Sequence, residues 1–142
     1  MRQKRLQIDF EYKFSLLGII SSIRSYKLAW SVNQALNIDL QSEPDLVIEF
    51  SKNQSISIEN YLFETEHCLY RLLKNKPVDS FGKNQLPLLP EMGHLDYLIM
   101  IEGETYPVTI NDVREKLKTL NTVEMVVPIN VENLKSKENL LF

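Results

Sequence analysis

The stretch TINDVREKLKTLNTVEMVVPINV, Thr109 to Val131, changes its hydrophobic period halfway along, and that change decides the fold class. Thr109-Ile110-Asn111-Asp112 has the Ser/Thr-x-x-acid form of a helix start, with Asp shorter than the usual Glu at the fourth place. Ile110, Val113, Leu117 and Leu120 then fall on one helical face. Asp112 and Lys116 form an i,i+4 pair of favourable polarity, contributing about 0.2–0.5 kcal/mol. Within three residues the period drops to two: Val123, Met125, Val127, Ile129 and Val131 alternate with other residues, which predicts a strand. Pro128 points the other way and cannot donate to a ladder, so this strand belongs at a sheet edge or ends there.

Working back toward the start of the chain, Leu95–Glu102 is almost wholly apolar and predicts a central strand. Ser55–Thr65 and His67–Lys74 read as a hairpin around Glu64-Thr65-Glu66, with a phase change near Glu59-Asn60 that predicts a bulge. Leu46, Ile48 and Phe50 mark another strand. From Arg24 to Asn37 the period is helical: Lys27, Ser31 and Gln34 form a polar stripe, and Tyr26, Leu28, Ala29, Trp30, Val32 and Leu36 fill the wide opposite face. Trp30 is expected in the core, and Asn33 is expected to bond locally. Leu6, Ile8, Phe10 and Tyr12 alternate as a half-buried strand, and Phe14–Ser21 reads as a more central one, continuous with it through a bend at Gly18. The order β(β)-α-β-β-β-β-α-β predicts an α+β domain spanning residues 1–142. Its mostly antiparallel sheet carries two helices packed on one face, and its ferredoxin-like β-α-β-β-α-β order holds an inserted hairpin.

Composition narrows the function classes. The 142 residues carry 16 basic and 19 acidic side chains, a formal charge of −3, which argues against a dedicated nucleic-acid binder. Arg2, Lys4 and Arg5 are the one basic cluster, and three cations near a chain start read first as a solvated segment. Cys68 is the single cysteine, so an intrachain disulfide is impossible, which fits a reducing compartment. No signal-peptide core follows Arg5, because Asp9, Glu11 and Lys13 interrupt it, and the longest apolar runs are far below the ~20 residues of a membrane span. The expectation is a soluble cytoplasmic protein without membrane contact.

No nucleotide-binding, nucleophile-elbow or Cys-x-x-Cys motif occurs. The chemistry-bearing residues gather at the end of Asn75–His94, a stretch of about twenty residues without period, which inside a compact domain is usually functional or mobile. Glu91, His94 and Asp96 could serve as an acid/base pair or as three ligands of a metal ion. The plainer reading makes them loop organisers: Glu91 after Pro90 accepts backbone N–H groups, Gly93 supplies a tight turn, Asp96 bonds at a strand entrance, and Tyr97 buries its ring while its hydroxyl finds a partner. His67 and Cys68 are adjacent in a strand, so their side chains point to opposite faces and share no site.

Leu89-Pro90-Glu91-Met92-Gly93-His94-Leu95-Asp96-Tyr97 resembles the signature of the IPExxxVDY family of Bacteroidetes-type bacteria. Leu89 stands for the motif's Ile and Leu95 for its Val, while Pro90, Glu91, Asp96 and Tyr97 match. The resemblance extends to Phe14–Ser22, to the Tyr26–Asn33 helix with Trp30, and to Leu134–Phe142. The family has no established activity, so the resemblance implies no catalytic or binding residue and no cofactor. The leading functional expectation is a non-enzymatic module that binds a protein partner or itself. It draws on the motif loop, the edge strand and the apolar residues Leu140, Leu141 and Phe142, which are expected to dock on a hydrophobic surface. A small-ligand regulatory domain with a pocket containing Glu91 or Asp96 is the alternative, and a metal-dependent enzyme using Glu91, His94 and Asp96 the third.

Overall fold

In the computed structural model, which describes residues 13–51, 54–78, 86–105 and 107–141, six strands form one antiparallel sheet. They are β1 (Phe14–Ile20), β2 (Gln41–Ser51), β3 (Gln54–Glu64), β4 (Cys68–Lys74), β5 (Tyr97–Gly103) and β6 (Met125–Ile129), with helices α1 (Ser25–Leu36) and α2 (Ile110–Lys118). The spatial order is β2-β3-β4-β5-β1-β6. The expected strand at Leu6–Tyr12, the Arg2–Arg5 cluster and Phe142 lie outside the described residues.

The α+β class with a mostly antiparallel sheet holds. The hairpin expected as an insert, β3–β4, stands within the sheet between β2 and β5, so no contiguous four-stranded ferredoxin-like sheet forms. Among the described strands β6 lies at the edge, as Pro128 implies, and β5 and β1 are interior.

Local chemistry explains the elements. The capping box of α2 forms in both directions: Asp112 N–H donates to Thr109 Oγ1 (3.1 Å) and Thr109 N–H donates to Asp112 Oδ2 (2.9 Å). α1 has no side-chain cap at Arg24 and ends on Asn37 in the left-handed region (φ 58°). Asn33 ties that end to β2, its amide accepting from Leu40 N–H (2.7 Å) and donating to Leu40 C=O (3.2 Å). Gly103, at the end of β5 and paired with Cys68, has φ 85°, and an added Cβ there would also strike the backbone of His67 in the β3–β4 turn. The bulge expected near Glu59 has its extra residue on the partner strand. Pairing runs Glu43↔Asn60 and then Leu46↔Ile58, so Pro44 and Asp45 oppose Glu59 alone. The buried Asn60 amide fills the gap by donating to Pro44 C=O (2.9 Å) while accepting from Arg71 (2.8 Å).

Both faces of the sheet are covered, by different means. On one face Leu17, Ile19, Leu72, Ile99 and Ile101 pack against Leu28, Ala29 and Val32 of α1 and Val113 and Leu117 of α2. On the other, Leu16, Ile58, Leu73, Leu98 and Met100 are roofed by Leu88, Leu89 and Leu95 of the motif loop and by Val131, Leu134 and Leu140. Among the described residues this second roof is built on 3₁₀ turns at Pro90–Met92, Val131–Asn133 and Lys137–Leu140 rather than on a long helix. Coverage from both sides is why β5 is apolar at every position from Tyr97 to Ile101.

Trp30 is not in the core. It is 64% exposed, and Tyr26, one turn before it, is 58% exposed. At 3.6 residues per turn Trp30 stands about 160° around the helix from Val32, which is fully buried, so it points away from the sheet. Ser25, not Trp30, completes the buried face with Leu28, Ala29 and Val32.

Candidate functional site

The motif loop is built around Asn75, which is completely buried at the end of β4. Its side-chain amide donates to Met92 C=O (3.0 Å) and Leu95 C=O (2.9 Å) and accepts from Leu89 N–H (2.9 Å). Its backbone adds Asn75 N–H to Asp96 C=O (2.9 Å) and Leu88 N–H to Asn75 C=O (2.6 Å). One residue thus supplies five hydrogen bonds to the irregular backbone from Leu88 to Asp96, where a buried polar group without a partner is costly. Sequence reading missed it, because an Asn before Lys-Pro carries the ordinary signature of a surface turn.

The motif side chains diverge from this hub. Pro90 opens the 3₁₀ turn, where its missing N–H costs nothing. Glu91 reaches outward to the segment after Leu134: Lys135 N–H (2.6 Å) and Ser136 N–H (2.9 Å) donate to one oxygen and the Ser136 hydroxyl (2.7 Å) to the other. Desolvation would raise the Glu91 carboxyl, but the bonds from Ser136, its own N–H and Lys135 outweigh it and hold the group below the usual carboxylate range. Asn139 fastens the same segment by donating to Leu88 C=O (2.9 Å).

Asp96 goes elsewhere, accepting from Ser21 N–H (2.9 Å) at the end of β1, and Tyr97 donates its hydroxyl to Ile23 C=O (2.6 Å). Burial first, then the negative charge of Glu59 and Asp96 and the nearby Tyr61, push the Tyr97 hydroxyl up to about 12, so it remains a donor throughout the physiological range. Together Asp96 and Tyr97 fix the turn that leads from β1 into α1. Gly93 has an ordinary right-handed backbone (φ −62°), so the turn does not require a glycine there. His94 is exposed to solvent. Glu91, His94 and Asp96 therefore do not converge, and no cluster of three metal-ligating side chains occurs among the described residues. His67 lies in the β3–β4 turn and is exposed, whereas Cys68 begins β4.

Leu140, part of the second roof, is 2% exposed, whereas Leu141 is 39% exposed, so of the two described residues expected to dock, only Leu140 does so.

A polar cleft of about 350 Å³ opens at the start of α1, lined among others by Ser25, Tyr26, Glu43, Asp45, Glu59 and Tyr61. Ser25 Oγ donates to Glu59, fixing that carboxylate at the helix start. Neither Glu91 nor Asp96 lines this cleft. No family model, no curated protein and no solved structure matches the chain. No described helix is long and apolar enough to cross a membrane.

Proposed function

We propose that this protein is a non-enzymatic interaction module of the IPExxxVDY type whose binding face is the outer side of α1. The observation that carries the reading is the exposed aromatic pair Tyr26 and Trp30, one helical turn apart on a helix already packed on its other side. Tyr and Trp supply large contact area at small entropic cost and dominate binding hot spots. The carboxylates that would serve an enzyme, Glu91 and Asp96, are engaged by backbone N–H groups of their own chain, which favours a structural use of the motif.

The test is affinity capture from cells that naturally produce the protein, with the wild type and Trp30→Ser as paired baits and quantitative mass spectrometry. A stoichiometric partner retained by the wild type and lost from the variant supports the reading. Equal recovery by both baits, with the variant folded by circular dichroism, removes α1 as the binding face.

A further inference from the structure

Among the described strands, the two at the edges of the sheet are poorly suited to strand addition. β2 carries Pro44, a bulge, and the charges of Glu43, Asp45 and Glu49; β6 is five residues long and contains Pro128. These are the devices by which natural sheets discourage edge pairing. The face of α1 has no such protection. Around its circumference the order is systematic. Tyr26 borders the cleft that holds Glu43, Asp45 and Glu59. Trp30 stands about 40° further round, and Lys27 about 100° round from Tyr26, on the far flank of the indole. Lys27 is exposed to solvent there. The strip therefore runs from acidic through aromatic to basic.

Such a strip is complementary to its own two-fold image. An axis running along the aromatic ridge, parallel to α1, brings the carboxylate flank of one copy against the Lys27 flank of the other, with the rings stacked between. We infer that the occupant of the α1 face is a second copy of this chain, forming an isologous dimer. This deepens the proposed function and rests on it, since it names the partner of the same face. Four aromatic rings with about 60% of their area exposed supply on the order of 500 Å², less than half of a standard interface. The dimer is accordingly a weak one, with a dissociation constant in the micromolar range or above.

The full chain should be followed by sedimentation velocity from about 1 μM to about 1 mM, the span over which a weak interface titrates. Trp30 is the only tryptophan, so its emission provides a second readout and should shift to the blue as the dimer forms. Trp30→Ser should weaken association by at least about tenfold, as expected for a hot-spot side chain. Lys27→Glu should weaken it, the pair Glu43→Lys with Asp45→Lys should weaken it, and combining all three should restore it; added salt should weaken the wild type. A chain that stays monomeric throughout, or a dimer indifferent to Trp30→Ser, overturns the inference. If the wild type is monomeric but Trp30→Ser still loses a different captured protein, the second-copy inference falls and the binding-face reading stands. If neither association nor capture depends on Trp30, both fall.

Discussion

Replacing Asn75 by Ala should unfasten the motif loop and lower stability by an amount large enough to threaten folding. The side chain is fully buried and makes three hydrogen bonds, to Leu89 N–H, Met92 C=O and Leu95 C=O. Alanine cannot replace any of them, so Leu89 N–H and Leu95 C=O lose their partner, while Met92 C=O keeps Leu95 N–H (3.0 Å). Each buried group left without a partner costs about 1–3 kcal/mol. For these two groups, allowing for partial rescue by water, the sum is about 2–5 kcal/mol, a substantial share of the 5–15 kcal/mol typical of a domain. Urea denaturation followed by far-ultraviolet circular dichroism measures the loss through the midpoint and its slope, and limited proteolysis between Leu86 and His94 reports local release of the loop. Asn75→Asp sharpens the test. A carboxylate keeps the acceptor for Leu89 N–H but loses both donors, and its burial raises its folded-state pKa above the unfolded value. The folded state then binds the extra proton, so the variant's deficit relative to wild type should grow as pH rises through the carboxylate range and shrink in acid. A deficit below about 0.5 kcal/mol for Asn75→Ala, or an Asn75→Asp deficit that does not change with pH, would refute the argument that this amide organises the loop.

Glu91→Gln should cost about 1–2 kcal/mol, since bonds to a charged group contribute roughly 1.5–3 kcal/mol each but this carboxylate is exposed and screened. Because its folded pKa is lowered, its contribution is present above the unfolded value and disappears as pH falls through the folded one, so the gap between wild type and variant in thermal melts should close in acid. Leu140→Ala should cost about 2–5 kcal/mol and Leu141→Ala almost nothing, because only the first is buried; equal effects in a denaturation series would mean that the second roof is wrongly placed.

What the sequence reveals divides along a physical line. Where a signal is local, it is legible. The Thr109–Asp112 box, the alternation after Val123 and the turn after Glu64 each depend on residues within a few positions, and each appears in the fold. Direction around a helix is harder. Six apolar positions on α1 span more than half the circumference, and hydrophobicity alone does not say which part faces the sheet; Ser25 is buried while Trp30 is not. The roof over the second face was legible only as apolar residues without a period, because 3₁₀ turns are too short to establish one. Of the candidate site, the types of residue were readable and their partners were not. Glu91 finds its donors 44 and 45 residues away, and Asp96 finds Ser21 75 residues away.

The sheet order also has a consequence for synthesis. β1 is apolar toward both faces, yet its two neighbours are β5 and β6, and nearly eighty residues separate Ile20 from Tyr97. At translation rates of about 5–20 residues per second, this strand waits roughly 4–16 seconds for its first hydrogen-bonding partner. Throughout that interval Phe14–Ile20 is an unpaired, uncharged segment of high strand propensity, the kind of sequence that aggregates. A nascent chain arrested before Tyr97 should therefore engage holding chaperones, and one released after Ile129 should not.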